Sequence, residues 1–103
     1  VCIDEEYLEE QLALIDPTLV SKCVFAYEPL SAIGTGNTIG VDSVIRVREK
    51  IRQVSPEALV LYGGSVTDQN VSEYLLVADG VLVGSFALDA DNFVKLLTAS
   101  TAA

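Results

Sequence analysis

The chain has 103 residues, which allows one small domain. Half of its residues are apolar, but 15 acidic against 6 basic side chains leave a formal net charge of −9. This acidic balance argues against nucleic acid and anionic membranes as partners, and no apolar stretch approaches the roughly 18 residues of a membrane span.

Short apolar runs alternate with helical patterns along the chain. The runs at 1–3, 23–27, 58–62 and 80–83 are continuous, which is typical of parallel strands covered on both faces. Asp4, Thr67 and Asp89 are candidate N-caps of three helices. Helical spacing is kept by Tyr7, Leu8, Leu12 and Ile15; by Val41, Val44, Ile45 and Ile51; by Val71, Tyr74 and Leu75; and by Phe93, Val94 and Leu97. This β-α order, repeated four times, predicts one parallel α/β domain over residues 1–103.

The two cysteines, Cys2 and Cys23, both fall inside apolar strand-like runs. Buried, reduced thiols are the expected state there, rather than a disulfide. Reduced thiols indicate a cytoplasmic location.

Four parallel strands do not close a barrel, and the inner face of such a sheet needs a cover. Two architectures provide one. The first is an open sheet with helices on both faces, and the second is half of an eight-stranded barrel whose other half is supplied elsewhere. Composition alone does not choose between them.

Residues suited to a reaction or to phosphate binding follow three of the predicted strands. Glu28 comes after the second strand, Gly63-Gly64-Ser65 after the third and Gly84-Ser85 after the fourth. In α/β barrels the active site lies at this edge, and loops after the last two strands commonly bind phosphate. Each of the two glycine-containing segments, taken alone, is more often only a turn.

The segment AYEPLSAIGTGN, residues 26–37, places Glu28 before a stiff proline and a loop of small residues. Pro29 fixes one backbone angle, while Gly34 and Gly36 bracket the loop tip. Such a loop can close over a small anionic substrate and expel water around a carboxylate base.

These motifs together resemble the triosephosphate isomerase family. AYEPLSAIGTGN is similar to that family's catalytic-glutamate strand and lid, YGGSV to its seventh-strand phosphate loop, and DGVLVGS followed by ALDADNFVKLL to its eighth strand and final helix. VCIDE is similar to its fifth strand. The resemblance therefore implies a (β/α) half barrel of the TIM-barrel type, formed by strands five to eight.

The resemblance implies a role for each matching residue. Glu28 would be the base that moves a proton in a triose phosphate, and Tyr62 would latch the closed lid together with Ser65. The phosphate would be bound by Gly34, Ser65, Gly84 and Ser85, and the lid would comprise Pro29, Ala32, Ile33, Thr35 and Gly36. No metal and no cofactor is implied.

Several departures from the family pattern qualify these expectations. Ser31 stands where the lid usually has an aromatic residue, Asp4 where the fifth strand usually ends in glycine, and Ser85 in place of a second glycine. The family's lysine and histidine electrophiles belong to earlier strands, and this chain has no histidine. Because it also begins at Val1, we expect a fragment, inactive alone, that pairs with the missing first half or with itself; a homo-oligomer is expected.

Three functional hypotheses stay open at this point. The chain is the second half of an isomerase that interconverts glyceraldehyde 3-phosphate and dihydroxyacetone phosphate, or a non-catalytic phosphate-binding or structural half barrel. Alternatively, it is part of another phosphate-handling barrel, such as an indole-glycerol-phosphate-type synthase; the AYEP and IGTG segments favour the isomerase over this last hypothesis.

Overall fold

The computed structural model describes residues 2–29 and 40–101. Its four strands are β1 (Cys2–Ile3), β2 (Val24–Tyr27), β3 (Leu59–Gly63) and β4 (Gly80–Leu82). Its α-helices are α1 (Leu8–Ala13), α2 (Val41–Val54), α3 (Val71–Leu75) and α4 (Ala90–Thr101), with 3-10 helices at Glu5–Tyr7, Val20–Lys22 and Ser85–Leu88. The predicted β-α order is confirmed.

The four strands form one parallel sheet in the order β1-β2-β3-β4. Ala26 pairs with Cys2 on one side and with Leu61 on the other, and Leu61 pairs in turn with Gly80. Since neighbours in the sheet are neighbours in the sequence, every connection is a single crossover through the helix or helices between two strands.

One face of the sheet carries the core. Phe25, Tyr27, Val60 and Tyr62 are at most 2% exposed, and they pack with apolar residues of the helices. The buried helix residues include Leu8, Leu12, Val44, Val47, Ile51, Val71 and Tyr74. Helix α2 presents Val44, Val47 and Ile51 at helical spacing, which explains why it packs along one side only.

The opposite face of the sheet, which we call the inner face, is formed by the alternate residues of the strands. Val24, Leu59 and Leu82 lie there and are 46%, 52% and 40% exposed. Because the helices cover only one face, the doubly wound alternative is wrong, and the sheet has the architecture of part of a TIM barrel.

A charged cluster joins α2 to the amino-terminal ends of β3 and β4. The carboxylate of Asp79 accepts the Val60 N–H at 2.8 Å and Nη2 of Arg48 at 2.9 Å, with Nη2 of Arg52 at 3.3 Å. Nε of Arg52 also donates to the carbonyl of Ala58 at 3.3 Å. Burial of the Asp79 carboxyl group raises its pKa, but the hydrogen bonds from Val60 and Arg48 and the positive charges of the two arginines have the larger effect. The pKa of Asp79 is therefore below its usual value.

The helix ends agree with two of the three predicted caps. The Asp4 carboxylate accepts the Glu6 N–H at the first 3-10 helix, and Asp89 accepts the N–H groups of Asp91 and Asn92 in α4. Thr67 begins the turn that leads into α3 but is not its cap residue.

Helix α4 forms where the spacing of Phe93, Val94 and Leu97 predicts a helix, but these three residues are not its buried face. Phe93, Val94 and Leu97 are 45%, 60% and 49% exposed, and Leu96 is the residue that is buried. Helix α4 lies against α3, where Ser72 Oγ donates to the Ala99 carbonyl at 3.2 Å, so that Leu96 and Ala99 face the core. The face carrying Phe93, Val94 and Leu97 is largely exposed within the described part of the chain.

The thiol of Cys23 is free and half-buried rather than fully buried, and it contacts the carbonyl of Leu19 at 3.4 Å. Within residues 2–29 and 40–101, no helix has the length and apolar character needed to cross a membrane.

Candidate active site

Glu28 lies at the carboxyl-terminal end of β2, half-buried, with Pro29 buried behind it. Its N–H donates to the carbonyl of Ile3 at 3.0 Å, which extends the β1–β2 pairing by one residue beyond the strand. This bond fixes the backbone of Glu28. Its alternation with buried Tyr27 places its side chain on the inner face of the sheet.

Gly63 provides the surface on which the Glu28 side chain lies. A Cβ built on Gly63 would be 3.0 Å from Cγ and 3.4 Å from Oε1 of Glu28, and 3.3 Å from Cβ of Leu82. Glycine in a strand often marks such a close approach. Because residue 63 has no side chain, the Glu28 carboxylate can lie directly over the end of β3, beside β4.

The loop after β3 turns sharply at Ser65. Its φ of 50° lies in the left-handed region that residues with a Cβ seldom adopt. The side chain of Asn70 contacts this loop on both sides: Nδ2 donates to the Ser65 carbonyl at 3.3 Å, and Oδ1 accepts the Thr67 N–H at 2.9 Å. Backbone N–H groups in such turns form concavities that bind anions.

The segment after β4 continues into the 3-10 helix Ser85–Leu88, where Gly84 is the residue that precedes the helix. Gly84 and Ser85 are both exposed, and a Cβ on Gly84 would meet no atom within 4 Å. Gly84 thus has open space above it at the same edge of the sheet as Glu28 and Ser65.

Tyr62 is fully buried at the end of β3. Its ring stacks on Tyr74 with centroids 4.1 Å apart and meets the edge of Tyr27 at 6.1 Å. Aromatic packing of this kind fixes the position of the strand end just before the Gly63-Gly64-Ser65 loop. The latch role of Tyr62 stays a prediction, since its partner segment is not among the described residues.

The predicted lid residues Ala32, Ile33, Gly34, Thr35 and Gly36 lie outside the described residues, as does Ser31.

Acidic residues surround the carboxyl-terminal end of β1. Glu5 forms an ion pair with Arg46 of α2 at 3.0 Å, and the Asp4 N–H donates to Oε1 of Gln11 at 3.0 Å. Burial, together with the charges of Glu5 and Asp4, raises the pKa of Tyr27 to about 12. Asp4 is thus built into the start of the first 3-10 helix.

Comparison with known proteins settles the family. The triosephosphate isomerase family matches residues 2–100. The chain belongs to the triosephosphate isomerase family. It is 42% identical over 94 residues to the triosephosphate isomerase of Campylobacter jejuni subsp. doylei, an alignment that covers 89% of this chain and 41% of the relative.

Two further triosephosphate isomerases give a similar picture. That of Mesomycoplasma hyorhinis is 42% identical over 97 residues, covering 91% of this chain and 39% of the relative. That of Mycoplasmoides gallisepticum is 39% identical over 106 residues, covering 92% of this chain and 42% of the relative. The chain therefore spans about two fifths of the length of these relatives.

The structure brings Glu28 beside Gly63 and Leu82, and it places Ser65 and Gly84 beyond the ends of the two neighbouring strands. Sequence reasoning included Gly63 only as part of the candidate phosphate loop, and it did not single out Asn70. A glycine inside an apolar strand signals close approach, and that signal could have identified Gly63. The contacts of Asn70 depend on the folded loop and had no comparable signal.

Proposed function

We propose that this chain forms the second half of a triosephosphate isomerase and supplies its catalytic base, Glu28. The observation that carries the proposal is the position of the Glu28 carboxylate over Gly63, at the edge of the sheet where the Ser65 and Gly84 segments also emerge. A base and two candidate phosphate-binding segments then share one rim, as the interconversion of glyceraldehyde 3-phosphate and dihydroxyacetone phosphate requires.

In the proposed reaction, Glu28 removes a proton from the carbon beside the substrate carbonyl. The electrons of the broken C–H bond form a carbon–carbon double bond, and the carbonyl oxygen gains a proton from a donor outside this chain. Glu28 then returns the proton to the former carbonyl carbon, while the hydroxyl group on the other carbon gives its proton back to that donor and becomes the new carbonyl, which completes an isomerisation without net oxidation. The phosphate is held by Gly34, Ser65, Gly84 and Ser85, while residues 29 and 32–36 close as a lid latched by Tyr62.

The completed barrel is also the proposed partner. The inner face exposes Val24, Leu59 and Leu82, and α4 exposes Phe93, Val94 and Leu97. Two uncovered apolar surfaces of this kind indicate contact with further β-α units. We propose that the first half of the barrel covers both, that this chain alone self-associates, and that the complete protein is a cytoplasmic homo-oligomer.

The test uses a barrel in which the first half of the Campylobacter jejuni relative is joined to this chain. Glu28→Gln should reduce kcat in that barrel by about 100- to 10,000-fold, because the amide cannot accept the proton, and should leave affinity for inorganic phosphate nearly unchanged. Glu73→Gln, an exposed position on α3, is the matched control. Equal turnover of Glu28→Gln and its parent would remove Glu28 from the mechanism.

The alternative of a non-catalytic, phosphate-binding half barrel makes a different prediction for the same protein. A joined barrel that folds and binds phosphate but does not isomerise would favour that alternative. The isolated chain should be inactive, because one missing oxyanion donor typically costs about 3 to 4 kcal/mol. Mixing the chain with a separately made first half should restore isomerase activity, and the mass measured by sedimentation should rise at the same time. If the isolated chain were a well-folded, active monomer, the proposal would be contradicted.

A further inference from the structure

Ser65 adopts a backbone conformation that its own side chain disfavours. It is the one residue other than glycine with positive φ within residues 2–29 and 40–101. Such a conformation persists only where neighbouring groups hold it. The question is which group holds Ser65.

Asn70 makes the contacts that can do so. Its Nδ2 donates to the Ser65 carbonyl at 3.3 Å, and its Oδ1 accepts the Thr67 N–H at 2.9 Å. The Asn70 N–H also donates to the Thr67 carbonyl at 3.3 Å. One amide side chain therefore bonds to both sides of Val66, which is itself buried.

The position of Asn70 at the start of α3 shows that its side-chain hydrogen bonds are not the usual ones for that position. Asn70 is the N-cap residue of α3, where an asparagine side chain usually accepts an N–H from the first helical turn. It forms no such capping bond. Its amide is instead directed back to the Ser65–Thr67 turn, so its hydrogen bonds serve the loop rather than the helix.

We propose that Asn70 is a positioning residue for phosphate: it holds Ser65 in the left-handed conformation that directs the loop toward the phosphate of the substrate. This inference rests on the proposed function. Ordering a loop when a ligand binds costs free energy and weakens the affinity. A loop that is already held in its binding conformation avoids this cost. Asn70 acts through Ser65 and does not itself contact the substrate.

The test measures the Kd for inorganic phosphate, KM, kcat and the thermal midpoint of the joined barrel. Asn70→Ala removes both side-chain hydrogen bonds and should raise the phosphate Kd and KM together by about tenfold, with kcat changed by less than about threefold. Gln69→Ala is the matched control, because Gln69 is exposed in the same turn and its side-chain Nε2 donates to Oδ2 of Asp68 at 3.5 Å. A purely structural role would lower the thermal midpoint and leave the phosphate Kd unchanged.

Asn70→Asp provides a second variant in case the alanine variant does not fold. It keeps an acceptor for the Thr67 N–H and removes the donor to the Ser65 carbonyl; Gln69→Glu adds the same charge one residue away and controls for repulsion of phosphate. The inference is overturned if a folded Asn70 variant has the phosphate Kd and KM of its control in an active barrel. If the parent barrel neither isomerises nor binds phosphate, the proposed function fails first, and the inference fails with it.

Discussion

Replacing Gly63 with alanine tests whether the position of the Glu28 carboxylate matters. The new Cβ would lie 3.0 Å from Cγ and 3.4 Å from Oε1 of Glu28, and 3.3 Å from Cβ of Leu82. Carbon atoms prefer separations of about 3.5 to 4.0 Å, so the first contact is short by roughly 0.5 to 1 Å. Cβ of Leu82 is fixed to the β4 backbone, whereas Cγ of Glu28 can rotate, and we therefore expect the Glu28 side chain to move.

The expected cost follows from that displacement. A misplacement of about 1 Å in a catalytic group can reduce the rate about 100-fold. The displacement that the new Cβ requires of the Glu28 side chain is roughly 0.5 to 1 Å, at or below that value. Gly63→Ala in the joined barrel should thus lower kcat by about 10- to 100-fold, equivalent to about 1.4 to 2.7 kcal/mol in the activation free energy. Affinity for inorganic phosphate should change little, because Gly63 is not one of the four residues proposed to bind the phosphate.

Two other glycines provide the controls for this prediction. Gly40→Ala adds the same methyl group where no atom lies within 4 Å. Gly80→Ala creates a 2.9 Å contact with Cδ2 of Leu61, a movable methyl group on the inner face. The assay is initial-rate kinetics of triose phosphate isomerisation, with circular dichroism to verify folding. A folded Gly63→Ala barrel with the turnover of the Gly40→Ala barrel would refute the reasoning.

Two further predictions concern stability and pH. Asp79→Asn should reduce the free energy of unfolding at pH 7 by about 1 kcal/mol, because Arg48 and Arg52 lose a charged acceptor in a partly solvated cluster. Since the folded pKa of Asp79 lies below 3.8, its stabilisation is present above that pH and is lost as pH falls through the folded pKa; urea titrations below pH 4 should show a shallower loss in the variant. Tyr27 has a folded pKa of about 12 against an ordinary value of 10.0, so stability should decline as pH rises between these values. Tyr27→Phe should remove that decline in alkaline unfolding curves, and an unchanged decline would assign it to other groups.

Much of the fold could be predicted because each strand is a continuous apolar run and each helix keeps a 3.6-residue period. Val44 and Ile51 keep this period and are fully buried in α2, and the predicted alternation of four strands with helices was confirmed. The buried face of α4 could not be predicted from the period alone. Phe93 and Leu96 both belong to an apolar stripe that extends around the helix, and only the contact with α3 decides which side is buried.

The candidate site was predictable in part for the same physical reason. Strand ends on one edge of a parallel sheet come together, so Glu28, Ser65 and Gly84 could be assigned to one rim from the sequence. Sequence does not determine which atoms touch across that rim. The contact of Glu28 with Gly63 depends on strand register, and the bonds of Asn70 depend on the turn at Ser65.

The order of strands in the sheet also has a consequence for how the chain folds. Within the part of the chain that the structure describes, each strand pairs only with its neighbours in sequence, so none of these pairings requires closure of a loop longer than one β-α unit. The longest register, four residue pairs, joins β2 to β3 at the centre, while β1 and β4 at the edges have two and three residues. Structure can therefore grow outward from the β2–β3 pair, with the amide hydrogens of Phe25 and Val60 exchanging last and those of Ile3 and Leu82 first.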